Sequence, residues 1–153
     1  AVLSDIGEAK DIHPRNKIDA GKRLALWALK KDYKQDITTW SGPLYKSHEI
    51  IDGKIIITFD SVGSGLMIGK KIGMNDTELS DAPLKHFQIC GVDRKWKWAV
   101  ADITSKDTIT VYHKDVKEPT IVRYAWAKNA DSANLYNKEG LPASIFTTET
   151  EIH

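Results

Sequence analysis

Asp11-Ile12-His13-Pro14 is the stretch of this sequence best suited to chemistry. An imidazole ordinarily changes charge near neutral pH, so it can take a proton from a hydroxyl and later return it. A carboxylate close to it holds the ring in one tautomer, and a proline just after it stiffens the loop that carries both. His13 is thus the candidate general base and Asp11 its candidate orienting group. Alone, the pattern is short, and a solvated loop histidine is the plainer use of it.

A nucleophile for that base is harder to find. Ser4 is the only serine before His13. Gly63-Ser64-Gly65 is not a nucleophile elbow, because Val62 stands where such an elbow needs its first glycine. Ser64 therefore reads as a β-turn residue, and so does Ser61, in Phe59-Asp60-Ser61. Other chemistries fare worse. His13, His48, His86, His113 and His153 have no ligand-like spacing with one another or with Cys90, and no calcium-loop pattern occurs, so neither a metal nor a cofactor is expected. Cys90, inside the apolar run Phe87-Gln88-Ile89-Cys90-Gly91, reads as a buried inert thiol. Trp40, Trp96, Trp98 and Trp126 either stack on sugars or fill a core, and the core is the commoner use. Arg123 reads as a surface ion-pair partner, with contact to a sugar carboxylate as its alternative.

The elements that must position these residues fall into two unlike parts. Between Asn16 and Tyr33, Ile18, Leu24, Ala25, Ala28 and Leu29 recur at three and four, the spacing of one helix face. Asn16 is the N-cap, and Lys30, Lys31 and Lys34 suit the negative end of the helix dipole. From Leu44 onward the period is two. Leu44 to Ile51 and Lys54 to Asp60 flank Asp52-Gly53, a strong hairpin signal. Further strands are predicted at Leu66 to Ile68, His86 to Cys90, Lys95 to Ile103, Thr108 to Tyr112 and Thr120 to Trp126, with Trp96, Trp98 and Val100 on one face. The tail from Asn129 to His153 reads as loop with one short strand. The predicted fold is mainly β: an antiparallel sandwich over 36–153, jelly-roll-like, preceded by a loop and one α-helix over 1–35. That leading part has the pattern of a strand-loop-helix unit from an α/β sheet whose other units are not on this chain.

Composition narrows the partners. The chain has 153 residues with 22 Lys plus Arg against 21 Asp plus Glu, a net charge of +1, so duplex nucleic acid and anionic membranes are poor candidates. No apolar stretch approaches the ~20 residues of a membrane span. One cysteine excludes an internal disulfide. The opening Ala1-Val2-Leu3-Ser4-Asp5 has neither Met nor a signal core, and reads as a point within a longer protein.

The words around His13 resemble a known family. Asp5-Ile6-Gly7-Glu8, Asp11-Ile12-His13-Pro14-Arg15-Asn16-Lys17 and Gly21-Lys22-Arg23-Leu24-Ala25 are similar to the C-terminal catalytic block of the sialate O-acetylesterases, serine esterases of the SGNH-hydrolase type. The resemblance continues, in order, through Ser41-Gly42-Pro43-Leu44-Tyr45, Gly65-Leu66, Phe87 to Asp93, Val122 to Trp126, Asn134 to Asn137 and Gly140 to Ala143. It implies that His13 is the catalytic histidine, that the serine and the oxyanion-hole residues lie on an N-terminal part outside this chain, and that the protein is secreted or periplasmic. The substrate it implies is an O-acetylated sialic acid or a related acetylated sugar. Two positions depart from the pattern. The acid usually stands three residues before the histidine, where this chain has Lys10, and the tail reads Ile145-Phe146-Thr147 where the family often carries Pro and Arg.

The sequence thus reads as the C-terminal part of a sugar acetylesterase, inactive by itself. A non-catalytic carbohydrate-binding sandwich is the alternative. The apolar stripe of the helix must be covered, and Gln35 to Gly42 looks like a connector between two bodies. Association with the N-terminal part of the enzyme, or with a symmetric copy, is the expected cover.

Overall fold

The helix begins where its cap requires. In the computed structural model, which describes residues 1–149, α1 spans Lys17–Lys31, and the Asn16 side chain accepts the Asp19 N–H at 3.0 Å. Its inward face is not the predicted apolar stripe. Ile18 and Leu24 are 57% and 58% exposed, and Arg23 is the one buried residue of the helix. The guanidinium donates to both carboxylate oxygens of Asp5 at 2.6 and 2.8 Å and to the Val2 carbonyl at 2.8 Å. The Tyr136 hydroxyl donates to the same carboxylate at 3.0 Å. Polar groups tie down the first turn as well: Asn16 Nδ2 donates to the Gly73 carbonyl at 3.0 Å, and Lys71 meets Asp19 at 2.6 Å. Trp27 then packs edge-on against Trp40, with centroids 4.4 Å apart. The segment from Gln35 to Gly42 therefore runs along the helix, and the helix docks on the sandwich through Arg23 and Trp27.

Among the described residues eleven strands follow, all paired antiparallel: β1 (Leu44–Ile51), β2 (Lys54–Asp60), β3 (Leu66–Lys70), β4 (Glu78–Leu79), β5 (Phe87–Cys90), β6 (Lys97–Trp98), β7 (Val100–Ile103), β8 (Thr108–Tyr112), β9 (Ile121–Tyr124), β10 (Leu135–Asn137) and β11 (Phe146–Thr147). They form sheets ordered β1-β2-β8-β7, β10-β3-β4 and β11-β9-β5-β6. The predicted hairpin is present, with Asp52 at φ 48° and Gly53 at φ 71°, both left-handed as a two-residue turn of this kind needs. A bulge interrupts β1 between Tyr45 and Ser47. Alternation along β2 buries Ile55, Ile57 and Phe59, and these meet Ile109 and Val111 of β8 and, from the facing sheet, Phe87, Ile89, Val122, Tyr124 and Phe146. The fold is an antiparallel β-sandwich preceded by a loop and one helix.

Two strand predictions are corrected. Lys95 to Ile103 is not one strand. The chain changes sheets at Ala99, whose N–H donates to Phe87 O, so Lys97–Trp98 pairs with β5 while Val100–Ile103 pairs with β8. Val100 therefore belongs to a different sheet from Trp98. The tail supplies two strands, and its polar residues are internal fasteners. Asn137 is fully buried, donating to the Ser41 carbonyl at 3.0 Å and accepting the Leu141 N–H at 2.9 Å. Gly42 is required at that joint, because a Cβ there would lie 2.0 Å from the Pro142 carbonyl oxygen.

Breaking one side of the buried Arg23–Asp5 pair strands a charge, which typically costs about 3–5 kcal/mol. Arg23→Met should lower unfolding free energy by that order in a urea titration, whereas Leu24→Glu on the exposed face should change it by less than about 1 kcal/mol. Equal losses at the two positions would show that the helix docks through its apolar stripe after all.

Candidate active site

The segment between Gly7 and Asn16 contains no helix or strand and is held by a few local hydrogen bonds. Glu8 organises it: its carbonyl accepts the Asp11 N–H at 3.3 Å, and its carboxylate accepts the Arg15 N–H at 3.1 Å. The chain turns back at Asp11, whose Oδ1 accepts the His13 N–H at 2.9 Å and lies 3.3 Å from His13 Nδ1. The two residues singled out in the sequence are thus brought together, with a spacing of two sufficient for contact. A proton on Nδ1 facing the carboxylate leaves Nε2 with a free lone pair, the arrangement a general base needs. Nε2 bonds to no group among the described residues, and the two side chains are open to solvent, 79% exposed for His13 and 55% for Asp11.

Beside this loop lies a cavity of about 580 Å³. Gly7, Glu8 and Asp11 form one wall, and Lys128, Asn129 and Ile145 from the sandwich form the other. Ile12 and Pro14, on either side of His13, also line it, whereas the His13 side chain itself stands outside the lining, at the rim, in solvent. Of the serines considered as nucleophiles, Ser4 faces this cavity but makes no hydrogen bond to His13 among the described residues. Ser64 is held elsewhere, its hydroxyl and its N–H donating to Glu139 at 2.5 and 2.9 Å. Ser61 sits in the left-handed region at φ 58°, as a turn residue does.

The remaining sequence candidates separate. Cys90 is buried, and burial pushes its thiol pKa up, so it is chemically quiet. His48, His86 and His113 lie against Tyr45, Ser132 and Asp115 respectively, and His153 falls outside the described residues. No three His, Cys, Asp or Glu side chains gather to hold a metal among the described residues. No helix there is long and apolar enough to cross a membrane. Trp40 is taken up by Trp27 and by Lys31, whose ammonium lies 4.3 Å from its ring centroid. Arg123 forms no ion pair among the described residues. It donates to Gln88 at 2.8 Å and stacks 3.9 Å from the Trp96 ring centroid. Sequence reasoning missed Asp5, Arg23 and Tyr136, which fix the base of the loop. The signal was an arginine on the helix face between Ala20 and Trp27, a place where a lone cation requires a buried partner.

The chain is similar to a carbohydrate acetylesterase from Xanthomonas citri known from its crystal structure, with a TM-score of 0.82 and 37% identity over 96% of this chain and 31% of that one. It therefore spans under a third of that neighbour's length. No protein-family model and no curated protein matches it.

The Asp11 contact has a spectroscopic consequence. In alkaline solution, ¹⁵N NMR should find the neutral His13 ring protonated mainly on Nδ1, and Asp11→Ala should shift it towards the Nε2–H form. An unchanged tautomer ratio would mean that the carboxylate does not orient the ring.

Proposed function

We propose that this chain supplies the histidine-and-carboxylate half of a serine acetylesterase acting on acetylated sugars. The observation that carries the reading is the Asp11–His13 contact at the edge of a cavity large enough for a sugar. Likeness to part of a carbohydrate acetylesterase supports it. The sequence resemblance favours O-acetylated sialic acids among the possible sugars.

In the proposed reaction, a serine from polypeptide outside these residues attacks the acetyl carbonyl while His13 Nε2 takes its proton. The tetrahedral intermediate collapses, His13 returns the proton to the departing sugar oxygen, and an acetyl-serine remains. Water, deprotonated by the same nitrogen, then releases acetate and restores the serine. Asp11 holds the Nδ1–H and steadies the imidazolium formed in each half. The outward Ile18 and Leu24 face of α1, together with the exposed Ile12, is where the polypeptide carrying that serine would pack.

Acetyl-ester turnover by the 153-residue chain alone should stay at background. In the complete protein, His13→Ala should lower kcat by about 10²- to 10⁴-fold with little change in KM, and Asp11→Ala should cost less. Unchanged turnover in both variants would remove the loop from the mechanism, and strong activity in the isolated chain would refute the serine's external origin. Light scattering over a concentration series checks the packing face: Ile18→Glu with Leu24→Glu should abolish association with the remaining polypeptide.

A further inference from the structure

The outer face of the sheet β11-β9-β5-β6 carries a row of side chains that neither the fold nor the proposed reaction uses. Arg123 and Trp98 are the register partners of Gln88 on its two sides, so the three stand on one face of the sheet. Arg123 is ordered in advance. Its guanidinium carbon lies over the Trp96 ring, 3.9 Å from the centroid, and its Nε donates to Gln88 at 2.8 Å, while its terminal nitrogens bond to no group among the described residues. No carboxylate among the described residues lies within ion-pair distance of it. Trp98 is 63% exposed, although it is among the largest apolar side chains of the chain. It is also steadied: His86 meets it edge-on at 6.0 Å and is itself bonded to Ser132 at 2.8 Å.

We infer that this face binds an acidic oligosaccharide, one sugar ring stacking on Trp98 while the carboxylate of a neighbouring unit takes the free edge of Arg123. Each half matches a chemical need. A pyranose presents a face of C–H groups to an indole, and a carboxylate accepts two parallel bonds from a guanidinium. The separation fits as well, since two strand spacings place the anchors about 10 Å apart, the scale of two linked sugar units. A neutral glycan would leave Arg123 unused, and an isolated carboxylate would leave Trp98 uncovered. The face is independent of the His13 loop, so this inference stands or falls apart from the esterase reading.

Calorimetric titration of the full 153-residue chain with trigalacturonate, with a trimer of sialic acid, and with the methyl ester of trigalacturonate tests it. At least one acid trimer should bind, and Trp98→Ala and Arg123→Gln should each weaken that binding tenfold or more while His13→Ala leaves it unchanged. For trigalacturonate, methyl esterification should cost a similar factor. Melting curves establish that the variants are folded, and Arg123→Lys provides a second check because it keeps the charge but loses the paired donors. It should also weaken binding. Absence of binding by both acid trimers, equal affinity for the methyl ester, retained affinity in folded Trp98→Ala, or loss of affinity in His13→Ala would each overturn the inference.

Discussion

The buried contact of Asp5 with Arg23 and Tyr136 holds the two ends of the chain in one structure. Tyr136 lies 131 positions from Asp5. Arg23 comes from the helix and Tyr136 from a strand of the tail, so three remote segments share one carboxylate. Burial, then the neighbouring Asp5 charge, pushes the tyrosine pKa up, and the hydroxyl therefore remains a donor to the carboxylate. Backbone geometry is adapted to it. Gly69 must lack a side chain, because a Cβ there would lie 2.5 Å from the Tyr136 ring. This joint, together with the Asn16–Gly73 and Lys71–Asp19 contacts at the first turn of α1, sets the loop bearing His13 against the sandwich wall opposite.

Much of the sandwich was legible because burial imposes a period of two on its central strands. The hairpin, β8 and most of β9 lie where alternation and turn residues place them, since Ile55, Ile57, Ile109 and Val111 can be buried only in that register. Reading failed where buried positions are polar. Asn134, Tyr136 and Asn137 look like loop residues, yet each is buried with its hydrogen bonds made inside the protein. Failure at Ala99 has another cause: a run of apolar residues does not reveal that half of it serves one sheet and half another. On the helix, spacing marked a stripe but not its direction, and Arg23 with its partner outweighed Leu24 in deciding which side faces inward.

At the candidate site, the sequence contained the contact itself but not its setting. Asp11 and His13 meet across two residues, so local chain geometry suffices. The opposite wall comes from Lys128, Asn129 and Ile145, which no spacing relates to His13. Several stretches of the family resemblance turn out to be structural joints. Ser41-Gly42-Pro43 closes on Leu141-Pro142, and Asn134 caps the turn at Pro83 and Lys85.

The bulge in β1 bears on solubility. An eight-residue strand at the margin of a sheet offers a row of unpaired amides and carbonyls to any other strand it meets. The extra residue between Tyr45 and Ser47 bends that row, and Lys46, which pairs with Asp60 at 3.1 Å, places charge there. The other margins are short: two residues at β4, β6 and β11, three at β10 and four at β7. The sandwich thereby resists templated aggregation by being irregular where it is longest and brief elsewhere.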